Sequence, residues 1–141
     1  MIRDRLELYD LYAAYGGLIG PVTEAAQLIA LHANGGTIDE TRVLTRQSID
    51  AMTAITTPGK PYDLGLGWFR PRGDRNPSVE HLGGGMGYWN LLRLKPHTAC
   101  GAAVMSNTTR HWNITAFADA AIERATRNTA AGPNASAPAR A

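Results

Sequence analysis

The hydrophobic pattern of this chain changes its period twice, and this limits the fold more than any other feature. Apolar residues recur at helical spacing between residues 24 and 55, alternate with other residues from 62 to 69, and return to helical spacing after 112, with further strand-like segments between 78 and 105. Helices, then strands, then a closing helix predict an α/β layered fold of the α+β type. The sheet should be antiparallel with flanking helices, because no strand alternates with a helix.

Start and stop signals bound the predicted helices. Leucine and tyrosine recur at helical spacing over residues 6–15. Thr23 is a candidate N-cap for a helix over 24–33, and the Asn-Gly-Gly that follows is a strong stop. Thr45 opens a helix that includes 47–55 and ends before Pro58. The last predicted helix covers 112–127, and its apolar face consists of Ile114, Phe117, Ala118, Ala121 and Ile122.

The middle of the chain contains about four predicted strands, over residues 62–68, 78–82, 88–94 and 99–105. The turn-like segment 95–98 joins the last two, which favours an antiparallel hairpin. After residue 127 alanine, proline, asparagine and serine dominate, which is typical of a disordered tail. We therefore predict one domain over 1–127 and a tail over 128–141.

Composition excludes several classes of function. The 141 residues carry a net charge of +2, and the arginines are scattered rather than gathered into a stripe, so we do not expect nucleic-acid binding. Cys100 is the only cysteine and cannot form an internal disulfide. No apolar run is long enough for a secretion signal or a membrane span, which predicts a cytoplasmic protein only by default, its true compartment being unknown.

Five segments, in order, resemble the serine β-lactamase and penicillin-binding protein family, which includes class C β-lactamases, DD-peptidases and esterases. The resemblance extends over about residues 15–127. The segments are Gly16-Gly17-Leu18-Ile19, Gly35-Gly36, Arg42-Val43-Leu44-Thr45, Tyr62-Asp63-Leu64-Gly65-Leu66-Gly67-Trp68 and His81-Leu82-Gly83-Gly84-Gly85-Met86-Gly87.

This resemblance implies that the chain corresponds to the C-terminal part of the family fold. His81-Leu82-Gly83 is similar to the family's third motif, Lys-Thr-Gly or His-x-Gly on a strand. His81 is then the candidate catalytic residue, orienting a substrate carboxylate or exchanging protons. Gly83, Gly84 and Gly85 would leave the backbone bare for an acyl substrate and for part of an oxyanion hole.

The family's other two motifs are missing from their expected places. The four serines are followed three residues later by Ala51, His81, Thr109 and Ala139, so Ser-x-x-Lys does not occur. The segment 88–90 spells Tyr-x-Asn but follows the third motif instead of preceding it, which favours an ordinary strand. Because acyl transfer needs a nucleophile and its base, we expect no activity from this chain alone. We expect no cofactor.

Other interpretations stay open. His81 could be an ordinary strand residue, and the spacing of His97 and Cys100 is too sparse to predict a metal site. The chain could instead be a non-enzymatic binding module that recruits another chain through an exposed strand edge. A third hypothesis builds unrelated chemistry on His81, Glu80 and Asp63. The expected partners are a second copy or a complementary N-terminal half, with a small acyl substrate only in the completed protein.

Overall fold

The computed structural model describes residues 19–73, 77–85, 87–108, 110 and 112–130. The helix predicted over 6–15, the family-like segment 16–18, Met86 and the tail after residue 130 lie outside the described residues. The helices are α1 (Val22–Ala33), α2 (Arg46–Thr53) and α3 (Ile114–Ala130). The strands are β1 (Thr37–Ile38), β2 (Thr41–Arg42), β3 (Tyr62–Leu64), β4 (Phe69–Pro71), β5 (Val79–Gly85), β6 (Tyr88–Lys95) and β7 (Cys100–Ser106).

The main sheet has five strands in the order β3-β4-β5-β6-β7, and every neighbouring pair is antiparallel. Strands β1 and β2 form a separate two-stranded ribbon. A short 3₁₀ helix, Pro96–Thr98, joins β6 to β7. These observations confirm the α+β fold, the antiparallel sheet and the hairpin in its last two strands.

Helices cover both faces of the sheet, because alternate residues of β6 enter two different cores. Leu94 packs with Ile29 of α1 on one face. Leu91 packs with Ile114 and Ala118 of α3 on the other. Helix α1 also crosses β7 closely, since a side chain at Gly101 would collide with Ile29. The architecture is therefore a helix, a sheet and a helix in three layers.

Local signals predicted the end of α1 and the start of α2, whereas α2 ends at Thr53, two residues before the predicted Ile55. The Thr45 hydroxyl accepts a hydrogen bond from the Ser48 amide at 3.0 Å and makes Thr45 the N-cap of α2, which confirms the predicted helix start near this residue. Helix α1 ends as predicted, with the Gly36 amide bonded to the Leu31 carbonyl. The prediction for Thr23 was wrong, because α1 begins at Val22 and the preceding residue, Pro21, holds the N-cap position.

The predicted strand over 62–68 was also wrong, since the structure divides this segment into a tight hairpin. β3 ends at Leu64, and the Gly65 amide donates to the Trp68 carbonyl at 2.7 Å. Gly67 has a φ of +77°, which suits glycine, and Phe69 then returns opposite Leu64. The turn carries Trp68 out of the sheet pattern and into the core with Ile29.

Helix α3 begins at Ile114, two residues after its predicted start, and extends to Ala130, so the first three residues of the predicted disordered tail, 128–130, are helical. Ile114, Ala118 and Ile122 are buried as predicted, but Phe117 is 58% exposed and Ala121 is exposed too. The sheet covers a narrower stripe of α3 than the apolar pattern predicts. Among the described residues, no helix is both long enough and apolar enough to span a bilayer.

Candidate functional site

Strand β5 has a paired edge and an edge that is mostly open. Its seven residues all pair with β6. On the other side, β4 contributes a single pair, Phe69 opposite Glu80. The edge over 81–85 on that side therefore has no strand partner within the described part of the chain. Peptide groups on such an edge can pair with an extended ligand.

The internal packing of β5 explains only one of its three glycines. A Cβ at Gly84 would lie 3.0–3.1 Å from the ring of Trp89, which is tight. A Cβ at Gly83 would meet only the Asn90 Cβ, at 3.7 Å, and one at Gly85 would meet nothing within 4 Å. Neither Gly83 nor Gly85 adopts a positive φ. Their lack of a side chain therefore serves no visible need of the fold and leaves bare backbone at the surface.

His81 stands exposed at the start of this open edge. Its imidazole stacks on the Phe69 ring with the centroids 4.8 Å apart and the planes at 26°. Tyr62 lies beyond Phe69, with 5.9 Å between their centroids. The aromatic contact restricts the imidazole while leaving it accessible, and its ring nitrogens can donate or accept hydrogen bonds. The structure thus brings His81, Gly83, Gly84 and Gly85 onto one strand edge.

Glu80 and Asp63 do not join His81 in a catalytic group. Glu80 is only 2% exposed and forms an ion pair with Arg93. Asp63 accepts from the Gly59 amide at 3.0 Å and from Arg72 at 3.2 Å. The hydrogen bond from Gly59 and the one from Arg72 lower the pKa of Asp63 below its ordinary value. The described contacts thus give both carboxylates structural partners and provide no support for the hypothesis of unrelated chemistry.

A buried charge network, which the sequence analysis missed, ties β5 and β6 to α3. Arg93 donates to Glu80 and, through Nε at 3.0 Å and Nη2 at 3.2 Å, to both carboxylate oxygens of Asp119. Lys95 Nζ lies 3.0 Å from the same Asp119 carboxylate. Burial lowers the pKa of Arg93, but Asp119 and Glu80 outweigh burial and raise it above its ordinary value. Two basic residues, Arg93 and Lys95, lie two positions apart in an otherwise apolar strand, and this pattern could have indicated the network.

His32 is a histidine that lies in the core and not at the open edge. Its Nδ1 lies 2.9 Å from the Leu28 carbonyl, and its Nε2 accepts from the Trp68 indole N–H at 3.3 Å. A carbonyl can only accept, so Nδ1 carries the proton and Nε2 is bare. The histidine is buried and neutral in this arrangement. It holds Trp68 in place.

The described serines are built into the fold. Ser48 hydrogen-bonds the hydroxyl of Thr45 at 2.8 Å, and Ser106 Oγ donates to the Trp89 carbonyl at 2.6 Å. Ser78 is fully buried at the start of β5, and Ser136 lies outside the described residues. Within the described ranges, no three His, Cys, Asp or Glu side chains are grouped closely enough to hold a metal ion.

No protein-family model matches this chain, and no curated protein matches it either.

Proposed function

We propose that this chain is the C-terminal part of a serine hydrolase of the β-lactamase and penicillin-binding protein family. In this proposal β5 forms one wall of a cleft that binds a β-lactam, a D-alanyl peptide or an ester. The observation that supports it most is the open edge over 81–85, where Gly83 and Gly85 present bare backbone without serving the fold. The resemblance itself rests on the sequence motifs.

In this proposal, the residues of the open edge have different roles. An acyl substrate lying along β5 would pair with peptide groups of Gly83 and Gly85, and an N–H there would donate to the developing oxyanion. His81, held by the Phe69 ring, would orient a substrate carboxylate or exchange a proton with the nucleophile. The nucleophile has to come from a complementary segment that carries Ser-x-x-Lys, because this sequence has none.

The first experiment measures hydrolysis of nitrocefin and of a short-chain nitrophenyl ester by the isolated chain. We expect no turnover above background, because orientation alone cannot replace the covalent step. Turnover that a serine-directed phosphonate abolishes, with the label on one of the four serines, would show that the chain is a complete enzyme. That result would contradict the expected role as a cleft wall only.

The second experiment supplies a complementary N-terminal half and measures the reconstituted activity. His81→Ala and Gly83→Val should both reduce it, the first by losing charge or proton handling and the second by filling the edge. Circular dichroism should show that Gly83→Val folds, since a Cβ there meets only Asn90. Thr41→Val places a valine on the exposed ribbon strand β2, away from β5, and should leave the rate unchanged. Unchanged rates for both β5 variants would contradict the proposal.

A second candidate function is a non-enzymatic assembly module, and strand β7 favours it. Among the described strands, β7 pairs only with β6 and lies at one end of the sheet. Its sequence, CGAAVMS, has no charge or proline to discourage pairing with another chain. This function predicts a dimer or a larger assembly. A stable monomer in light scattering, at a concentration on the order of tens of micromolar, would contradict it.

A further inference from the structure

A cavity of about 230 Å³ lies at the other end of β5 from the glycine edge. Ser78 and Val79, at the start of β5, form part of its wall, and Gly83 is four residues or about 13 Å further along the strand. The described residues that line it are Asp50, Thr53, Ala54, Arg70, Pro77, Ser78, Val79, Pro96 and His97. Helix α2, strands β4 and β5 and the 3₁₀ turn thus meet around one small space that is separate from the candidate cleft.

Arg70 is the cation of this cavity, and the fold makes little use of it. Its Nε is buried and has no hydrogen-bond partner among the described residues. Asp63 stands opposite it in the β3–β4 pair, but the hydrogen bonds of that carboxylate go to Arg72 and the Gly59 amide. An unsatisfied guanidinium N–H that is closed off from solvent is costly. Among the described residues, the charge of Arg70 therefore acts only at a distance, by adding to the electrostatic lowering of the Asp63 pKa.

The other polar groups of the cavity suit an anion. His97 adds ring nitrogens that can donate, whereas the Thr53 hydroxyl already donates to the Ile49 carbonyl at 2.9 Å. Asp50 is the one acidic side chain in the lining, and Arg46 pairs with it at 2.9 Å. Among the lining residues, Asp50 has its counter-charge in Arg46, whereas Arg70 has no opposite charge within hydrogen-bond distance.

The size of the cavity limits the ligand further. Pockets for drug-sized molecules usually measure roughly 300–1,000 Å³, so about 230 Å³ suits a smaller group. Arginine binds oxyanions through two parallel N–H bonds, which fits carboxylate and phosphate groups. We propose that this cavity binds a small oxyanion, with Arg70 as its principal ligand and His97 as a second donor. The proposal does not depend on the hydrolase function.

The test titrates the full chain with inorganic phosphate and, separately, with acetate, at constant ionic strength set by chloride. Binding is followed by NMR amide shifts. We expect saturable shifts confined to Thr53, Arg70, Val79 and His97, and the stronger of the two ligands identifies the oxyanion class. Arg70→Gln should weaken binding by about tenfold or more. The matched control Arg72→Gln, on an arginine that already pairs with Asp63 and does not line the cavity, should bind like the wild type.

A second measurement separates a ligand site from a structural role. Thermal unfolding of Arg70→Met and of the wild type should give similar melting temperatures in chloride, because the Nε has no bond to lose. A gap should open when the preferred oxyanion is added, since only the wild type gains from binding. An equal loss of stability in both buffers would show that Arg70 serves the fold and would overturn the proposal. Equal binding by Arg70→Gln and the wild type, or shifts spread over other surfaces, would overturn it as well.

Discussion

The two halves of strand β5 differ in almost every physical respect. Val79 and Glu80 are buried, Val79 in the core under α1 and Glu80 in the charge network under α3. Gly84 and Gly85, at the other end of the same strand, are exposed, and no described strand covers their outer edge. The first half packs against the helices on both faces and so holds the layers together. The second half is held in place by its pairing with β6 and contributes little else to the fold, which leaves it available to a ligand.

The largest expected effect comes from a substitution in the buried charge network at the first half of β5. Arg93→Met removes the guanidinium that pairs with the buried Glu80 and with Asp119, and the free energy of unfolding should fall by about 3–5 kcal/mol. Urea denaturation measures it. The control Arg46→Met removes an exposed pair with Asp50 and should cost less than about 1 kcal/mol. Similar costs for the two variants would show that Arg93 is as solvated as Arg46.

Two glycines give the next comparison, because one lies under α1 and the other at the open end. Gly101→Ala places a methyl group against Ile29 and the Arg93 carbonyl, and should lower stability by about 1–3 kcal/mol. Gly85→Ala meets no atom within 4 Å and should be neutral or slightly stabilising, within about 1 kcal/mol. Chemical denaturation of both variants tests the difference. A loss of stability in Gly85→Ala equal to that of Gly101→Ala would mean that the open end is packed.

A smaller effect is expected at the hydrogen bond that anchors Trp68 in the core beside Val79. Trp68→Phe keeps a ring in the core but removes the indole N–H, leaving the buried His32 Nε2 without its donor. The expected loss is on the order of 1–2 kcal/mol at neutral pH, measured by denaturation. Trp112→Phe, where the ring is partly exposed, should change stability less. A loss in Trp68→Phe no larger than that in Trp112→Phe would contradict a contribution from the hydrogen bond to His32.

The smallest effect is expected at Asp63 in the β3–β4 hairpin, which also carries Phe69, the residue that stacks on His81. The pKa of Asp63 is lowered in the folded chain, so its ionised form adds stability above the unfolded pKa of about 4. That contribution disappears as the pH falls through the lowered folded pKa. Asp63→Asn should therefore be less stable than the wild type at neutral pH, and the gap should close in acid. Parallel stability curves between neutral and acidic pH would contradict this.

Local chemistry explains why much of the fold was predictable. The Thr45 cap and the glycines after α1 act within a few residues, so their consequences can be inferred without knowing the tertiary structure. The hairpin at 65–68 was not predicted, because the alternation of glycine with leucine and tryptophan in this segment is compatible with a strand as well as with a turn. Only the burial of Trp68 against Ile29 distinguishes the two.

The candidate site residues remain a prediction from the sequence motif, whereas their setting came from the structure. The motif directed attention to His81 and Gly83, but the stacking of Phe69 on His81 and the single β4–β5 pair that opens the edge were not foreseeable. The cavity around Arg70 joins four separate segments of the chain, and no local pattern indicates it.

The sequence by itself determined the α+β class, the antiparallel direction of the strands and the glycine-rich segment after His81, because hydrophobic period and backbone freedom are properties of neighbouring residues. The tertiary structure alone decided which charges are buried and which edge stays open. Glu80 and Arg93 are 13 residues apart, and Arg93 and Asp119 are 26 apart. Whether such groups meet depends on how the layers pack, since burial and electrostatic pairing act through space and not along the chain.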